Sequence, residues 1–171
     1  MSAVHSNEAL IERFYRAFQV RDAATMGACY HPEIVFSDPA FPELRGREAG
    51  AMWAMLCARA KDLDLEFGAV QADDARGRAH WEPRYTFSPT GRRVHNVIDA
   101  TFEFRDGLVV HHVDRFAFWR WARQALGATG WLLGWTPMVR DRVRLEARRG
   151  LDAFLQKQAG TAAEPQRAIS R

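Results

Sequence analysis

The sequence has few cysteines and no long apolar run, and these absences exclude several classes of protein. Its only two cysteines, Cys29 and Cys57, lie in apolar helical contexts, which argues against a disulfide framework or a zinc site and favours a reducing cytoplasm. No run of 18 apolar residues predicts a membrane-spanning helix. The first five residues lack the pattern of a signal peptide. No sequential metal-ligand motif occurs, so we expect neither a metal nor another cofactor, although His95, Asp99, His112 and Asp114 are residue types that ligate divalent ions.

The sequence also lacks an evenly distributed positive charge, although its net charge is +3. Much of the basic character comes from the last thirty residues, which contain Arg142, Arg144, Arg148, Arg149, Lys157, Arg167 and Arg171. A charge concentrated in this way is weak support for a nucleic-acid footprint. We therefore expect no nucleic-acid partner.

The hydrophobic pattern predicts helices first and strands afterwards. Period-3.6 segments at 7–20, 22–31 and after Gly46 precede period-2 segments at 63–67, 78–88, 92–105 and 108–119, with one short strand at 34–36 between the second and third helices. Helices followed by a meander favour an α+β fold in which a curved sheet wraps around N-terminal helices. We expect one domain over 1–158, with a core at 7–118, a helical extension at 119–157 and a disordered tail at 159–171.

Two turns predict the register of the sheet. Asp106-Gly107 is typical of a two-residue type I′ hairpin, which places Asp99 opposite Asp114 on the neighbouring strand. The loop at 88–92 contains Pro and Gly in positions that suit a type I turn with a left-handed residue, which places Trp81 opposite Asp99.

Directly opposed residues share a face of the sheet, so this register predicts which side chains point inward. The predicted inner face consists of Trp81, Pro83, Tyr85, His95, Val97, Asp99, Thr101, His112, Asp114, Phe116 and Phe118. The predicted outer face consists of His80, Glu82, Arg84, Asn96, Ile98, Phe102, His111 and Arg115, and suits solvent or a second copy of the chain.

A pair of carboxylates at Asp99 and Asp114 inside an aromatic wall predicts acid–base chemistry. Two such groups cannot both ionise cheaply, so one of them would hold a proton near neutral pH and donate a hydrogen bond while the other acts as a base. His112, diagonal to Asp99, could share this role. Two alternatives stay open: a partly solvated surface pair, and a register that slips by one residue.

Five short motifs carry a resemblance to a known superfamily. They are Arg13-Phe14-Tyr15, Tyr30-His31-Pro32-Glu33, Phe36-Ser37-Asp38-Pro39, Gly46-Arg47-Glu48 and Val97-Ile98-Asp99. With these motifs the chain resembles the nuclear-transport-factor-2-like superfamily, and within it the ketosteroid isomerases and SnoaL-like polyketide cyclases. The resemblance implies a cone of helices on a curved sheet, a ligand inside the cone and a homodimer.

The resemblance also implies roles for individual residues. Asp38 matches the proton-shuttling Asp of ketosteroid isomerases, and Asp99 matches the protonated Asp of their oxyanion hole. Tyr30 matches a supporting tyrosine of the pocket, and Trp53 an aromatic residue of its wall. Phe14 occupies the position of the principal oxyanion-hole tyrosine, and losing such a donor typically costs about 10²–10³ in rate.

The phenylalanine at position 14, in place of the oxyanion-hole tyrosine, argues against steroid isomerisation and makes the SnoaL-like cyclases the nearer analogue. Epoxide hydrolases of the superfamily use two Asp with an Arg between them. The sequence predicts no inward Arg, so this activity ranks lower.

The sequence therefore predicts a cofactor-independent isomerase or cyclase that acts on a small hydrophobic carbonyl compound. Asp38 or Asp99 would be the base, and a protonated Asp99 or Asp114 the donor. The predicted pocket wall consists of Phe14, Tyr30, Trp53, Trp81, Tyr85, His95 and Phe116. The alternative is a non-catalytic binder of an apolar ligand or a dimeric interaction module.

The helical extension contains an apolar stripe with arginines around it. The stripe consists of Val139, Val143, Ala147, Leu151, Phe154 and Leu155. We favour a helix packed on the domain or on a partner subunit over a lid at 131–135 above the pocket. Attachment to anionic lipid ranks last.

Overall fold

The computed structural model describes residues 5–167, which form six helices and seven strands. The helices are α1 Ser6–Gln19, α2 Ala23–Ala28, α3 Arg47–Arg59, α4 Phe118–Leu126, α5 Ala128–Leu133 and α6 Pro137–Arg167. The strands are β1 Tyr30–Ser37, β2 Leu44–Arg45, β3 Asp64–Ala72, β4 Arg76–Phe87, β5 Arg92–His95, β6 Ile98–Arg105 and β7 Leu108–Arg115. The predicted α+β class is confirmed.

The N-terminal helices begin at side-chain caps. The backbone N–H of Asn7 donates to the His5 side chain, and the backbone N–H of His5 donates to the Glu8 carboxylate, which together form a capping box. The cap therefore lies two residues before the predicted start of the helix at 7. Asp22 caps α2, where the predicted second segment begins, because its carboxylate accepts from the backbone N–H of Thr25 at 3.0 Å.

The strands form one mixed sheet in the order β2-β1-β7-β6-β4-β3, with β5 paired to β4 beside β6. The β1–β7 pair is parallel and the other pairs are antiparallel. Helix α1 packs on β3 and β4, while α3 packs on β1 and β2. The apolar core lies between these helices and the sheet, so any buried chemistry belongs to the face of the sheet that the helices cover.

The β6–β7 register differs from the prediction because of a β-bulge. The type I′ turn is present, with φ of 53° at Asp106 and 73° at Gly107. Beyond it the register shifts, since Phe104 pairs with Val109 but Glu103 pairs with His111. Val110 is the extra residue. Because of it, the side chains of β6 beyond the bulge lie on the opposite face of the sheet from the one that the predicted register gives.

The loop between β4 and β5 is also one residue longer than predicted. Phe87 pairs with Arg92, and Gly91 with φ of 68° closes a four-residue loop by donating its N–H to Phe87 O. As a result, Trp81 lies opposite Ile98 rather than Asp99.

The predicted Asp99–Asp114 pair is therefore wrong. Asp99 pairs with Arg115 and is exposed, whereas Asp114 pairs with Ala100 and is buried. The assignment of β6 to the two faces is reversed: Ile98 and Phe102, predicted outside, are buried in the core. The faces of β4 and β7 are as predicted around Trp81, His112 and Asp114.

The apolar stripe of the last helix packs on the domain. Leu151 is fully buried in the main core, and Val139 joins a second cluster with Val94, Phe118 and Trp121. Arg148 of α6 forms an ion pair with Glu48 of α3 at 2.5 Å. In the segment at 131–135, which the less favoured alternative makes a lid, Trp131 and Trp135 are 61 % and 68 % exposed.

Helix α6 continues to Arg167, past the point at 158 where the sequence predicts a disordered tail. Residues 168–171 lie outside the described part of the chain. None of the described helices is long and apolar enough to cross a membrane. Cys29 and Cys57 are buried free thiols.

Candidate active site

Five polar side chains form a continuous buried network between α3 and strands β1, β4 and β7. The indole Nε1–H of Trp53 donates to Tyr30 Oη at 2.7 Å, and the same hydroxyl lies 2.7 Å from His112 Nδ1. The other ring nitrogen, His112 Nε2, is 3.1 Å from Asp114 Oδ1, which also accepts from Trp81 Nε1–H at 3.2 Å. All five residues are at most 7 % exposed, so bulk water does not compete for these contacts.

The two indoles determine the direction of the hydrogen bonds, because an indole N–H can only donate. Tyr30 Oη accepts from Trp53, so its own proton is available for His112 Nδ1. In this arrangement Nδ1 accepts from Tyr30, and Nε2 carries the proton that is donated to Asp114. Asp114 receives two N–H donors on one oxygen, and its Oδ2 is bonded to none of the described residues.

Aromatic rings enclose the imidazole of this network. The ring of His112 lies 4.4 Å from that of Phe102 and 5.2 Å from that of Phe36, and it stacks on Trp53 with an interplanar angle of 16°. Phe14 stacks on Tyr30 at 5.3 Å and meets His112 edge-on at 5.6 Å. The interior is thus filled by rings, and Phe14 adds no hydrogen-bond donor to it.

Asp38 follows the last residue of β1 and forms a turn with its own backbone. Its Oδ1 accepts from the backbone N–H of Ala40 at 2.7 Å and of Phe41 at 2.5 Å. Its Oδ2 is bonded to no described residue, and the residue is only half-buried. One carboxylate oxygen is therefore held in place and the other is free to meet a ligand.

The surroundings of Asp38 make it titrate near neutral pH. Burial and, to a smaller extent, the charge of Asp114 raise the pKa of Asp38, while the N–H groups of Phe41 and Ala40 and the charge of Arg144 lower it, and the net change is from 3.8 to about 7. At pH 7 both protonation states are populated. The carboxylate whose charge acts on Asp38, which follows β1, is therefore Asp114 on β7, whereas the sequence predicts Asp99 as the neighbour of Asp114.

Arg144 is a residue near the site that sequence reasoning missed. It lies on α6, is half-buried, and donates through Nε to the backbone oxygen of Pro39 at 3.1 Å. The sequence offers no local signal for this position, because the contact joins segments 105 residues apart.

Tyr85 lies near the Asp38 carboxylate. Its Oη accepts from Trp121 Nε1–H at 3.0 Å, and burial together with the charge of Asp38 raises the pKa of the Tyr85 hydroxyl, against the hydrogen bond from Trp121. Phe116 is half-buried and packs against both apolar clusters. These two predicted pocket residues are near Asp38 and the C-terminal helices.

The other two predicted residues, Asp99 and His95, lie on the outer face of the sheet. His80 Nδ1 is 2.8 Å from Asp99 Oδ1, and Glu82 connects His80 to His95 through contacts of 3.2 and 2.6 Å. Hydrogen bonds to Asp99 and Glu82 raise the pKa of His80. No group of three or more His, Cys, Asp or Glu within residues 5–167 is arranged to hold a metal ion.

Tyr15 has a buried hydroxyl that hydrogen-bonds to none of the described residues. The residue is 0 % exposed, and burial followed by the charge of Asp114 raises the pKa of the Tyr15 hydroxyl well above its ordinary value. The sequence places Tyr15 about 100° away from Phe14 on α1. In the fold this direction leads to Trp81, whose ring lies 5.7 Å from that of Tyr15.

Two of the clefts on the described surface contain no residue of the buried network. One, of about 410 Å³, lies along α1 and α2 beside Arg13, and the other, of about 630 Å³, lies beside Arg105 and His111. Both are shallow and open. We place the candidate chemistry at Asp38 and Asp114, since that is where titratable groups converge.

The model of the SnoaL-like domain family matches residues 11–112. This range ends inside β7 and contains Asp38 and His112, whereas Asp114 and the C-terminal helices follow it. No curated protein matches the sequence.

Several solved structures have a similar fold and a distant sequence. An LEH-like epoxide hydrolase from M. tuberculosis is 20 % identical over 75 % of this chain and 95 % of its own, with a TM-score of 0.59. TsrD from Streptomyces laurentii is 24 % identical over 75 % and 99 %, with a TM-score of 0.59. An NTF2-like protein of unknown function from Burkholderia pseudomallei is 17 % identical over 71 % and 98 %, with a TM-score of 0.62. At this identity the likeness shows the cone fold alone.

Proposed function

Since the chain belongs to the SnoaL-like domain family, we propose that it is a cofactor-independent isomerase or cyclase that moves protons on a small hydrophobic carbonyl compound. The observation that supports this proposal is the half-buried Asp38, whose pKa of about 7 suits a proton shuttle at neutral pH. Its Oδ1 is fixed by two backbone donors, and its Oδ2 would take the proton from the carbon next to the carbonyl.

The buried network would support this carboxylate from behind. Asp114 is held by His112 and Trp81, and its charge adds to the effect of burial in raising the pKa of Asp38. A carboxylate whose pKa lies near the pH of the reaction can both take up a proton and release it readily. Positioned acid–base groups of this kind contribute about 10²–10⁴ in rate.

A proton-exchange assay tests the proposal without knowledge of the natural substrate. The wild-type protein would be incubated in D₂O with a panel of hydrophobic ketones, including 2-tetralone, and deuterium uptake next to the carbonyl would be followed by NMR. A hydrophobic epoxide is incubated separately and followed for ring opening by water to the diol, because Arg144 lies beside Asp38. We expect Asp38→Asn to lose at least about 10²-fold of the protein-dependent rate.

Asp64→Asn is the matched control, since Asp64 is an exposed carboxylate on β3 and the charge change is the same. It should keep the full rate. If Asp38→Asn keeps it as well, Asp38 is not the base.

The alternative, a non-catalytic binder or interaction module, is favoured by the packing of the interior. Phe14, Tyr30, Trp53 and His112 are almost fully buried against one another, and the two surface clefts lie elsewhere. A ketone that raises Tm without any deuterium uptake would support this alternative. The homodimer and the cytoplasmic location stay predictions, and light scattering tests the first.

A further inference from the structure

Exposed apolar side chains are concentrated on one surface, formed by the beginning of α4, the end of α5 and the first turns of α6. Of the eight large apolar side chains that are exposed in the described chain, seven lie between Trp119 and Leu145. We call these seven the apolar patch: Trp119, Trp131, Leu132, Leu133, Trp135, Met138 and Leu145. The eighth, Val20, lies at the end of α1.

Two hydrogen bonds connect tryptophans of the patch to the backbone of α5. Trp119 Nε1–H donates to the backbone oxygen of Trp131 at 3.4 Å, and Trp135 Nε1–H donates to that of Leu132 at 3.0 Å. Trp131, Leu132 and Trp135 are 61 %, 59 % and 68 % exposed. The apolar stripe of α6 that packs on the core does not include these side chains, so a patch of this kind marks an interaction surface rather than unfinished packing.

The same segment carries an excess of positive charge. Residues 119–149 contain seven arginines and two acidic residues, a net charge of +5, whereas the whole chain has +3 and the remainder therefore −2. The arginines on α6 are partly neutralised, as by the Arg142–Glu146 pair. Arg120, Arg123 and Arg140 form no ion pair with any side chain in 5–161. The Arg123 guanidinium lies 4.6 Å above the Trp119 ring.

We propose that the apolar patch and its arginines dock the protein on an anionic phospholipid surface. Tryptophan prefers the boundary between headgroups and acyl chains, because its ring is apolar and its N–H is polar. Leucine and methionine would enter the acyl region, and arginine would reach the lipid phosphates. Apolar side chains ringed by cations complement this surface more closely than they complement a second copy of the chain, which would bring the same charge.

Vesicle binding by the full-length protein tests the proposal independently of any activity. The probes are large vesicles of phosphatidylcholine alone and of phosphatidylcholine with about 30 % phosphatidylglycerol, at about 0.1 and 0.5 M NaCl. We expect co-sedimentation with the anionic vesicles at low salt, and weaker binding at high salt because the charges are screened. Phospholipids brominated in the acyl chains should quench the tryptophan fluorescence of the bound protein.

Two pairs of variants separate the apolar contribution from the charge. Trp131→Ala/Trp135→Ala should weaken the partition coefficient at least tenfold, with Val20→Ala as the exposed apolar control. Arg120→Gln/Arg123→Gln should lower the partition coefficient on anionic vesicles about 25-fold, since each arginine near the surface contributes about fivefold.

The matched charge control is Arg16→Gln/Arg45→Gln, which removes two arginines of 68 % side-chain exposure away from the patch. It should bind within about twofold of wild type, with unchanged far-ultraviolet circular dichroism in every variant. The absence of co-sedimentation, or equal binding by the Trp131/Trp135 variant, overturns the proposal. Self-association that this variant abolishes, without vesicle binding, would instead assign the patch to contact between copies.

Discussion

Replacing Asp38 by asparagine should change how the stability of the protein depends on pH. The pKa of Asp38 is raised to about 7 in the folded state, so the folded protein binds this proton more tightly than the unfolded chain does. The resulting stability is complete below about pH 4 and is lost as the pH rises through about 7. In Asp38→Asn, the amide side chain would keep an oxygen for the two backbone donors but has no proton to lose.

The magnitude follows from the raised pKa. The pKa of Asp38 in the folded protein lies roughly three units above its value in the unfolded chain. Raising the pH from 5 to 8 removes the stabilisation that corresponds to about two of these units, which is about 2.6 kcal/mol at about 1.36 kcal/mol for each unit. Because Asp38 is only half-buried, solvent screens part of this energy. We expect the stability of the Asp38→Asn variant relative to wild type to increase by about 1–2 kcal/mol from pH 5 to pH 8.

Urea unfolding of both proteins at several pH values between 5 and 8, followed by tryptophan fluorescence, measures this difference. The exposed Asp64→Asn variant is the control, and its stability relative to wild type should not vary with pH by more than about 0.5 kcal/mol. A difference between the Asp38 variant and wild type that stays constant with pH, or that changes in the opposite direction, would refute the reasoning. It would mean that Asp38 is solvated and ionised like an ordinary surface carboxylate.

Three further predictions concern the fold. Tyr30→Phe should cost about 1–3 kcal/mol in the free energy of unfolding, because it leaves two buried polar partners of the hydroxyl unsatisfied. Asp114→Ala should cost at least about 2 kcal/mol, whereas Asp99→Ala should stay within about 0.5 kcal/mol. Gly130→Ala should lower the free energy of unfolding by about 1–3 kcal/mol or displace α5, because the added Cβ would lie 1.9 Å from a backbone oxygen of α4. The control is Gly27→Ala, which should be neutral or should stabilise the protein by up to about 1 kcal/mol.

Chemical denaturation measures each of these changes. Equal costs for the alanine variants at 99 and 114 would contradict the register, since the two side chains would then have the same environment. A neutral Tyr30→Phe would show that the buried network is not closed, and a neutral Gly130→Ala would show that α5 does not pack closely on α4.

The sequence by itself determined the order and type of the longer elements, but not β2, α5 or the end of α6. Ile11, Phe14 and Phe18 recur at helical spacing, and the alternation at 63–67 and 108–115 allowed only strands, so local hydrophobic periodicity was sufficient. The buried face of β7 was also predictable, because His112 and Asp114 are two residues apart and therefore share a face.

Only the tertiary structure decided which residues of β6 share the buried face of the sheet with His112 and Asp114. A single extra residue at Val110 and a loop longer by one residue turn Asp99 outward, and no local pattern distinguishes these registers because side chains alternate with a period of two.

The candidate site likewise depends on long-range contacts. Asp38 gains its raised pKa from burial and from Asp114, and Arg144 approaches it from a helix more than a hundred residues away. The exposure of Trp131 and Trp135 is likewise decided by how this part of the chain packs on the domain. Burial and charge proximity are properties of the packed chain, and for this reason the sequence could name the residue types of the site but not their partners.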